Sequence, residues 1–127
     1  MSLPDHVKAA AAREANLLLQ EVDGLSAVVI ATIDGFDVAH AAKGDIEASR
    51  IAAMTSSVSA IGEAVSHEAS LGKYRSIAID TENGLAILQA VPRKDVPLVL
   101  NLIANGKSMM AQVMYRAKQS AKTLEEA

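Results

Sequence analysis

The spacing of apolar residues switches between helical and extended periods along this chain, and each switch marks an element. From Asp5 to about Val22 the chain is rich in Ala and Leu. Pro4 and a capping Asp5 precede this stretch and the left-handed stop Asp23-Gly24 follows it, so it predicts a first helix. Leu25 to Ile33 (LSAVVIATI) is apolar on both faces and β-branched, as a central strand should be. Asp34-Gly35 turns it into Phe36 to Ala42 (FDVAHAA), whose alternation predicts a hairpin partner. After Lys43-Gly44-Asp45, helical spacing returns from about Glu47 to Ala69. Lys73 to Asp80 (KYRSIAID) alternates again, and Leu85 to Val91 (LAILQAV) pairs back across the turn at Asn83-Gly84. Pro92 to Asp95 is a polar connection, for which solvation is the expected state. Val96 to Ile103 forms a fifth, apolar strand, with Pro97 near its start, where a missing N–H is tolerable. Asn105-Gly106 opens a last helix from Ser108 to about Thr123, and the tail Glu125-Glu126-Ala127 is expected to fray. The order α-β-β-α-β-β-β-α, with short strand-to-strand links, predicts an α+β fold: a mainly antiparallel five-stranded sheet with helices on its faces.

The second helix is the unusual one. Ile51 to Gly62 (IAAMTSSVSAIG) carries no charge, although one face of a surface helix is ordinarily charged. Ile51, Met54, Val58, Ile61 and Val65 make a large apolar stripe, expected to pack on the sheet. Ala53, Ser57, Ala60 and Ala64 make a small stripe beside it, which would let a second helix approach closely. Ala52, Thr55, Ser56, Ser59 and Glu63, with Ser66 in line, lie opposite the large stripe, and so smooth a face suggests covering by another chain. If the strand with Tyr74, Ser76 and Ala78 is a sheet edge, pairing it with its own copy satisfies its free backbone groups. The same pairing would bring two of these helices together across a two-fold axis.

Composition narrows the function. Half of the 127 residues are hydrophobic, so the core is built from Val, Ile, Leu, Met and Ala, with only Phe36, Tyr74 and Tyr115 as aromatics. So few rings, with a net charge of −3, argue against nucleic-acid binding. The absence of cysteine excludes disulfides and thiolate chemistry and suits a reducing cytosol. No apolar run approaches a membrane span, and no secretory h-region follows the first lysine, so a cytoplasmic location is expected.

The candidate chemical motifs each fall short. Gly106-Lys107-Ser108 follows a strand, but a phosphate loop also needs an earlier glycine, and Asn101 stands there inside the strand. Ser108 is expected near a helix cap instead. His6, His40 and His67 lie on three different elements without ligand spacing, so no metal is expected. The carboxylates Asp34, Asp37, Asp45 and Asp80 fall mostly at turns, and no serine sits in a nucleophile elbow. Met109, Met110 and Met114 are expected on the last helix and packed in the core. No catalytic residue and no cofactor are expected. The competing binding reading, a small-molecule-sensing α/β domain, lacks an aromatic lining.

The hairpin GLSAVVIATIDGFDVAH (Gly24 to His40), the Ala-rich second helix and the hairpin at Asn83-Gly84 resemble the roadblock / dynein light-chain domain, closest to its stand-alone bacterial type. The resemblance covers residues 5–122 as a single domain. It implies a profilin-like sandwich, with the first and last helices on one side of the sheet and the second on the other. It also implies a homodimer joined through Ile51–Ser66 and Tyr74–Asp80. Members of that family regulate or scaffold Ras-like small GTPases, so the expected role is a non-enzymatic adaptor. The small stripe would meet the twin helix, and Ser56, Ser59 and Glu63 would border the GTPase.

Overall fold

A computed structural model of the chain, described over residues 2–127, contains three helices and five strands in the expected order. They are α1 (Asp5–Glu21), β1 (Leu25–Thr32), β2 (Asp37–Ala42), α2 (Ala48–Glu68), β3 (Ser76–Thr81), β4 (Gly84–Val91), β5 (Leu98–Asn105) and α3 (Met110–Glu126). The sheet order is β2-β1-β5-β4-β3, and every neighbouring pair is antiparallel. The two most apolar strands, β1 and β5, pair at the centre, while β2 and β3 form the edges. Helices α1 and α3 cover one face, and α2 crosses the other.

The main core lies under α1 and α3. Val7, Ala11, Ala15 and Leu18 of α1 and Val113, Ala117 and Leu124 of α3 close over Val28, Ile30, Ile87, Leu100 and Leu102. Because side chains alternate across a strand, Val28 and Ile30 point into this core, while Val29 and Ala31 point to α2. The core layer is thus large and aliphatic on one side of the sheet, and thin on the other.

Three local expectations change. Asp5 does not cap α1; Pro4 takes the cap position, its carbonyl accepts from the N–H groups of Val7 and Lys8, and Asp5 sits in the first turn. There its negative charge favours the helix dipole. The C-terminal tail does not fray: α3 runs to Glu126, with Leu124 fully buried. Arg93 is the reason, and it is not a solvated turn residue. Its side chain is buried, pairs with Asp95 at 2.9 Å, and donates to the carbonyls of Leu124 and Ala127, supplying partners that a helix C-terminus otherwise lacks. The guanidinium of Arg93, with help from the Val96 N–H, holds the Asp95 carboxyl down at about 2.

At the opposite end, Gly24 adopts φ +86, as the predicted stop requires, and a Cβ there would lie 2.0 Å from Ser108 Oγ. The Ser108 hydroxyl donates to the Asp23 carbonyl at 3.0 Å, so it ties the two helix ends together instead of capping α3. No phosphate loop exists at Gly106-Lys107-Ser108, because β5 continues as regular strand through Asn105.

Candidate interaction surface

The second helix lies on the sheet by the face opposite to the one expected. Its buried residues are Ala48, Ala52, Thr55, Ser59 and Ser66. Thr55 and Ser59 are each only 1 % exposed, whereas Met54, Ile61 and Val65 are 54 %, 64 % and 59 % exposed. Three residues assigned from the sequence to a partner, Ala52, Thr55 and Ser59, therefore face the protein's own sheet. Of the rest of that set, Ser56 is half-buried beside the Gly35 turn, and Glu63 is exposed. The large stripe is correspondingly not the inward face, although Ile51 still packs partly against Val29 and Ala31.

Polar pairing explains the inversion. Asn101 projects from the middle of β5 toward α2, and its amide N–H groups donate to the carbonyls of Val29 at 3.0 Å and Val99 at 3.4 Å. Its Oδ1 lies 3.1 Å from the Thr55 hydroxyl, which shares its single proton with the Ile51 carbonyl at 3.0 Å. Farther along, the hydroxyls of Ser59 and Tyr74 share a short hydrogen bond. Turning the helix would take Thr55 away from the buried Asn101 Oδ1, and a buried acceptor left unpaired costs about 1–3 kcal/mol. The contact is also too close for large side chains: a Cβ on Gly62 would lie 2.7 Å from Ile77 Cδ1. Small residues let the helix sit low, and the large ones are left outside.

The small stripe lies outside too. Ala53, Ser57, Ala60 and Ala64 are exposed along the outer surface of α2, beside Met54, Ile61 and Val65. Ile77 packs against α2, so Ile79, two residues on along β3, lies on the same face of the sheet; it is 42 % exposed. Tyr74 is half-buried because its hydroxyl is engaged with α2, Ser76 is half-buried, and Ala78 is exposed. Strand β3 is an edge, as the pairing argument needs. Sequence reasoning missed Met54, Ile61 and Val65 as surface residues. The available signal was Asn101, a polar residue in an apolar strand that had to find a partner across the layer.

Chemical groups are scattered. Among the described residues no group of three or more His, Asp or Glu could hold a metal ion. His40 Nδ1 lies 2.9 Å from Asp37 Oδ2 on the exposed edge strand β2, and His6 and His67 sit apart on α1 and α2. Met110 and Met114 pack partly against the core, but Met109 is exposed. No helix among the described residues is long and apolar enough to cross a membrane.

A three-helix, five-stranded antiparallel α+β sandwich with this element order belongs to the profilin-like class of folds. Comparison with known proteins narrows this. The Roadblock/LC7 domain family model matches residues 12–95, and the chain belongs to that family. The fold is similar to that of Myxococcus xanthus MglB, with a TM-score of 0.85 at 12% identity over 99% of this chain and 92% of that one. The gliding protein MglB of Thermus thermophilus is similar at TM-score 0.85 and 13% identity, over 99% of this chain and 93% of that one. A Roadblock/LC7 domain from Streptomyces avermitilis has TM-score 0.81 and 16% identity, over 91% of this chain and 94% of that one. No curated protein sequence matches the chain.

Proposed function

We propose that this chain is a non-enzymatic adaptor, one roadblock-like domain over residues 5–122, that forms a homodimer through α2 and β3. The paired α2 helices then dock a Ras-like small GTPase or a related signalling or motility partner. The observation that carries the reading is the exposed stripe of Met54, Ile61 and Val65 beside the free edge strand β3 with its exposed Ile79. Water gains nothing from such a stripe. Fully burying an aliphatic side chain of this size contributes about 1.5–3 kcal/mol. A twin molecule related by a two-fold axis covers the stripe and extends the sheet at the same time.

Family membership and the fold shared with the MglB gliding proteins support the choice of partner class. With Ala52, Thr55 and Ser59 committed to the sheet, the GTPase-facing role moves to the exposed residues of α2. Ala53, Ser57, Ala60 and Ala64 stay in the proposed surface between the large stripe and Ser56 and Glu63.

Light scattering is expected to show a dimer for the native protein. Ile61→Glu is expected to weaken it by on the order of 100-fold, because an unpaired charge in the interface costs about 3 kcal/mol or more. An unchanged dimer in that variant removes Ile61 from the interface. The partner is tested by affinity capture from native lysate, with and without a GTP analogue. Retention of a GTPase by the native chain, and its loss with Ile61→Glu, is the expected result; equal retention by both excludes the paired-helix surface.

A further inference from the structure

We propose that an open groove bounded by the C-terminal half of α3, the connection leading into β3 and the end of β4 docks an acidic peptide segment of a partner protein. The groove has a volume of about 1250 Å³. Six of the chain's 12 lysines and arginines line it: Lys73, Arg75, Arg93, Lys94, Lys118 and Lys122. The chain as a whole is acidic, with a net charge of −3, so half of its cations are gathered against the overall sign. Among the described residues only Arg93 of the six is ion-paired, to Asp95. The other five make no ion pair among those residues. Even with Glu63, Glu125 and Glu126 in the lining, the concavity keeps an excess of positive charge, a field that attracts anions and is strengthened by low-dielectric walls.

The floor supplies a second, independent observation. Gln89 lines the groove from β4 and is only 6 % exposed. Its Oε1 is buried with no hydrogen-bond partner, and its amide nitrogen makes only a long 3.4 Å contact to the Ala90 carbonyl. A buried acceptor left unpaired is costly, and a turn of the Gln89 side chain toward the groove would let a ligand N–H satisfy it. A peptide backbone carries such a donor at nearly every residue. The phosphodiester backbone of a nucleic acid offers none.

The walls favour the same occupant. Leu71, Pro92 and Pro97 give apolar contact, and Glu63, Glu125 and Glu126 interrupt the positive lining. A uniformly anionic polymer would meet those carboxylates, whereas a peptide can place apolar or neutral side chains against them. The occupant is therefore an extended peptide with acidic side chains interspersed with apolar ones. Lys118 and Lys122 lie on α3, across the sheet from α2, so the site can be tested apart from the proposed dimer surface.

The probe is a fluorescein-labelled synthetic peptide of alternating glutamate and leucine, titrated into the full chain and followed by anisotropy. Saturable binding is expected, weakened by added salt and at least about tenfold weaker when glutamine replaces glutamate in the peptide. The double substitution Lys118→Glu/Lys122→Glu and the single change Gln89→Leu are each expected to weaken it by a similar factor. Gln89→Leu removes an unpaired buried acceptor, so its melting temperature is expected to be unchanged or higher, which separates lost binding from lost folding. Light scattering is expected to give the double variant the same mass as the native protein, whether or not α2 mediates a dimer. The proposal is overturned by the absence of saturable binding, or by native affinity in either variant. Tighter binding of a labelled oligonucleotide of matched charge, or a changed mass for the double variant, overturns it as well.

Discussion

Asn101 decides which way α2 faces. A strand of Val, Leu and Ile around it gives no reason for an amide until its three partners are seen: the carbonyls of Val29 and Val99 and the hydroxyl of Thr55. Asn101→Asp keeps the shape but sets an oxygen 3.0 Å from the Val29 carbonyl in place of a donor. A loss of about 3 kcal/mol in urea unfolding at neutral pH is expected, and an unchanged midpoint would show that this network does not hold the helix. Asp95 offers a second test at this scale. Its carboxyl is held at about 2 against an ordinary 3.8, because the Arg93 guanidinium favours the charged form. Its contribution is therefore complete above about pH 4 and lost as the pH falls through about 2. The stability difference between the native chain and Asp95→Asn is expected to shrink across that window in acid unfolding titrations. A difference independent of pH there means that the pair contributes nothing through its charge.

At the scale of the element, α2 shows how an amphipathic pattern can be read with the wrong side in. Ranking faces by side-chain size places Met54, Ile61 and Val65 inward. Ranking them by what the opposing sheet can accept places Thr55 and Ser59 there instead. The sheet presents Val29, Ala31 and an amide, a shallow surface suited to close approach and to hydrogen bonds. Neighbouring positions distinguish the two orientations. Thr55→Glu buries a charge and is expected to cost several kcal/mol of folding stability. Met54→Glu is expected to leave the folding stability of the isolated subunit within about 0.5 kcal/mol. Thermal melts in dilute solution compare them, and the reverse ranking would restore the large stripe to the core. Helix α3 teaches a related lesson at its end. Its last turn reads as one that frays, but Arg93, distant in sequence, closes it.

At the scale of the whole molecule, the two faces of the sheet are built for different purposes. Under α1 and α3 the layer is thick and aliphatic, and it carries the stability of the subunit. Under α2 the layer is thin, and the apolar surface that a single chain would ordinarily bury is turned outward with an edge strand beside it. Such an arrangement gains stability only when another chain is present, which is why the proposed dimer and the orientation of α2 stand together. The clustering of cations around the α3 groove adds a second, electrostatic surface to the same small domain. Both surfaces assemble residues far apart in the chain, from Lys73 to Lys122 in the groove and from Met54 to Ile79 at the α2–β3 face.

The sequence by itself determined the elements, their order and the antiparallel sheet, because periodicity, glycine stops and hairpin turns are local and act before any long-range contact. Gly24 and the Asp34-Gly35 turn were legible in that way, as was the resemblance that family membership bears out. The set of uncharged residues on α2 was also legible, including the small stripe that remains outside. Which of its stripes faces the sheet was not. That depended on pairing Thr55 with Asn101 across 46 positions of chain, and Ser59 with Tyr74 across a layer too shallow for large side chains. The groove with Gln89 at its floor was equally invisible, since its cations come from the connection between α2 and β3, from α3 and from the loop between β4 and β5. Local patterns say which residues prefer to be buried. Only the tertiary structure says which neighbours are there to bury them, and here the neighbours were polar.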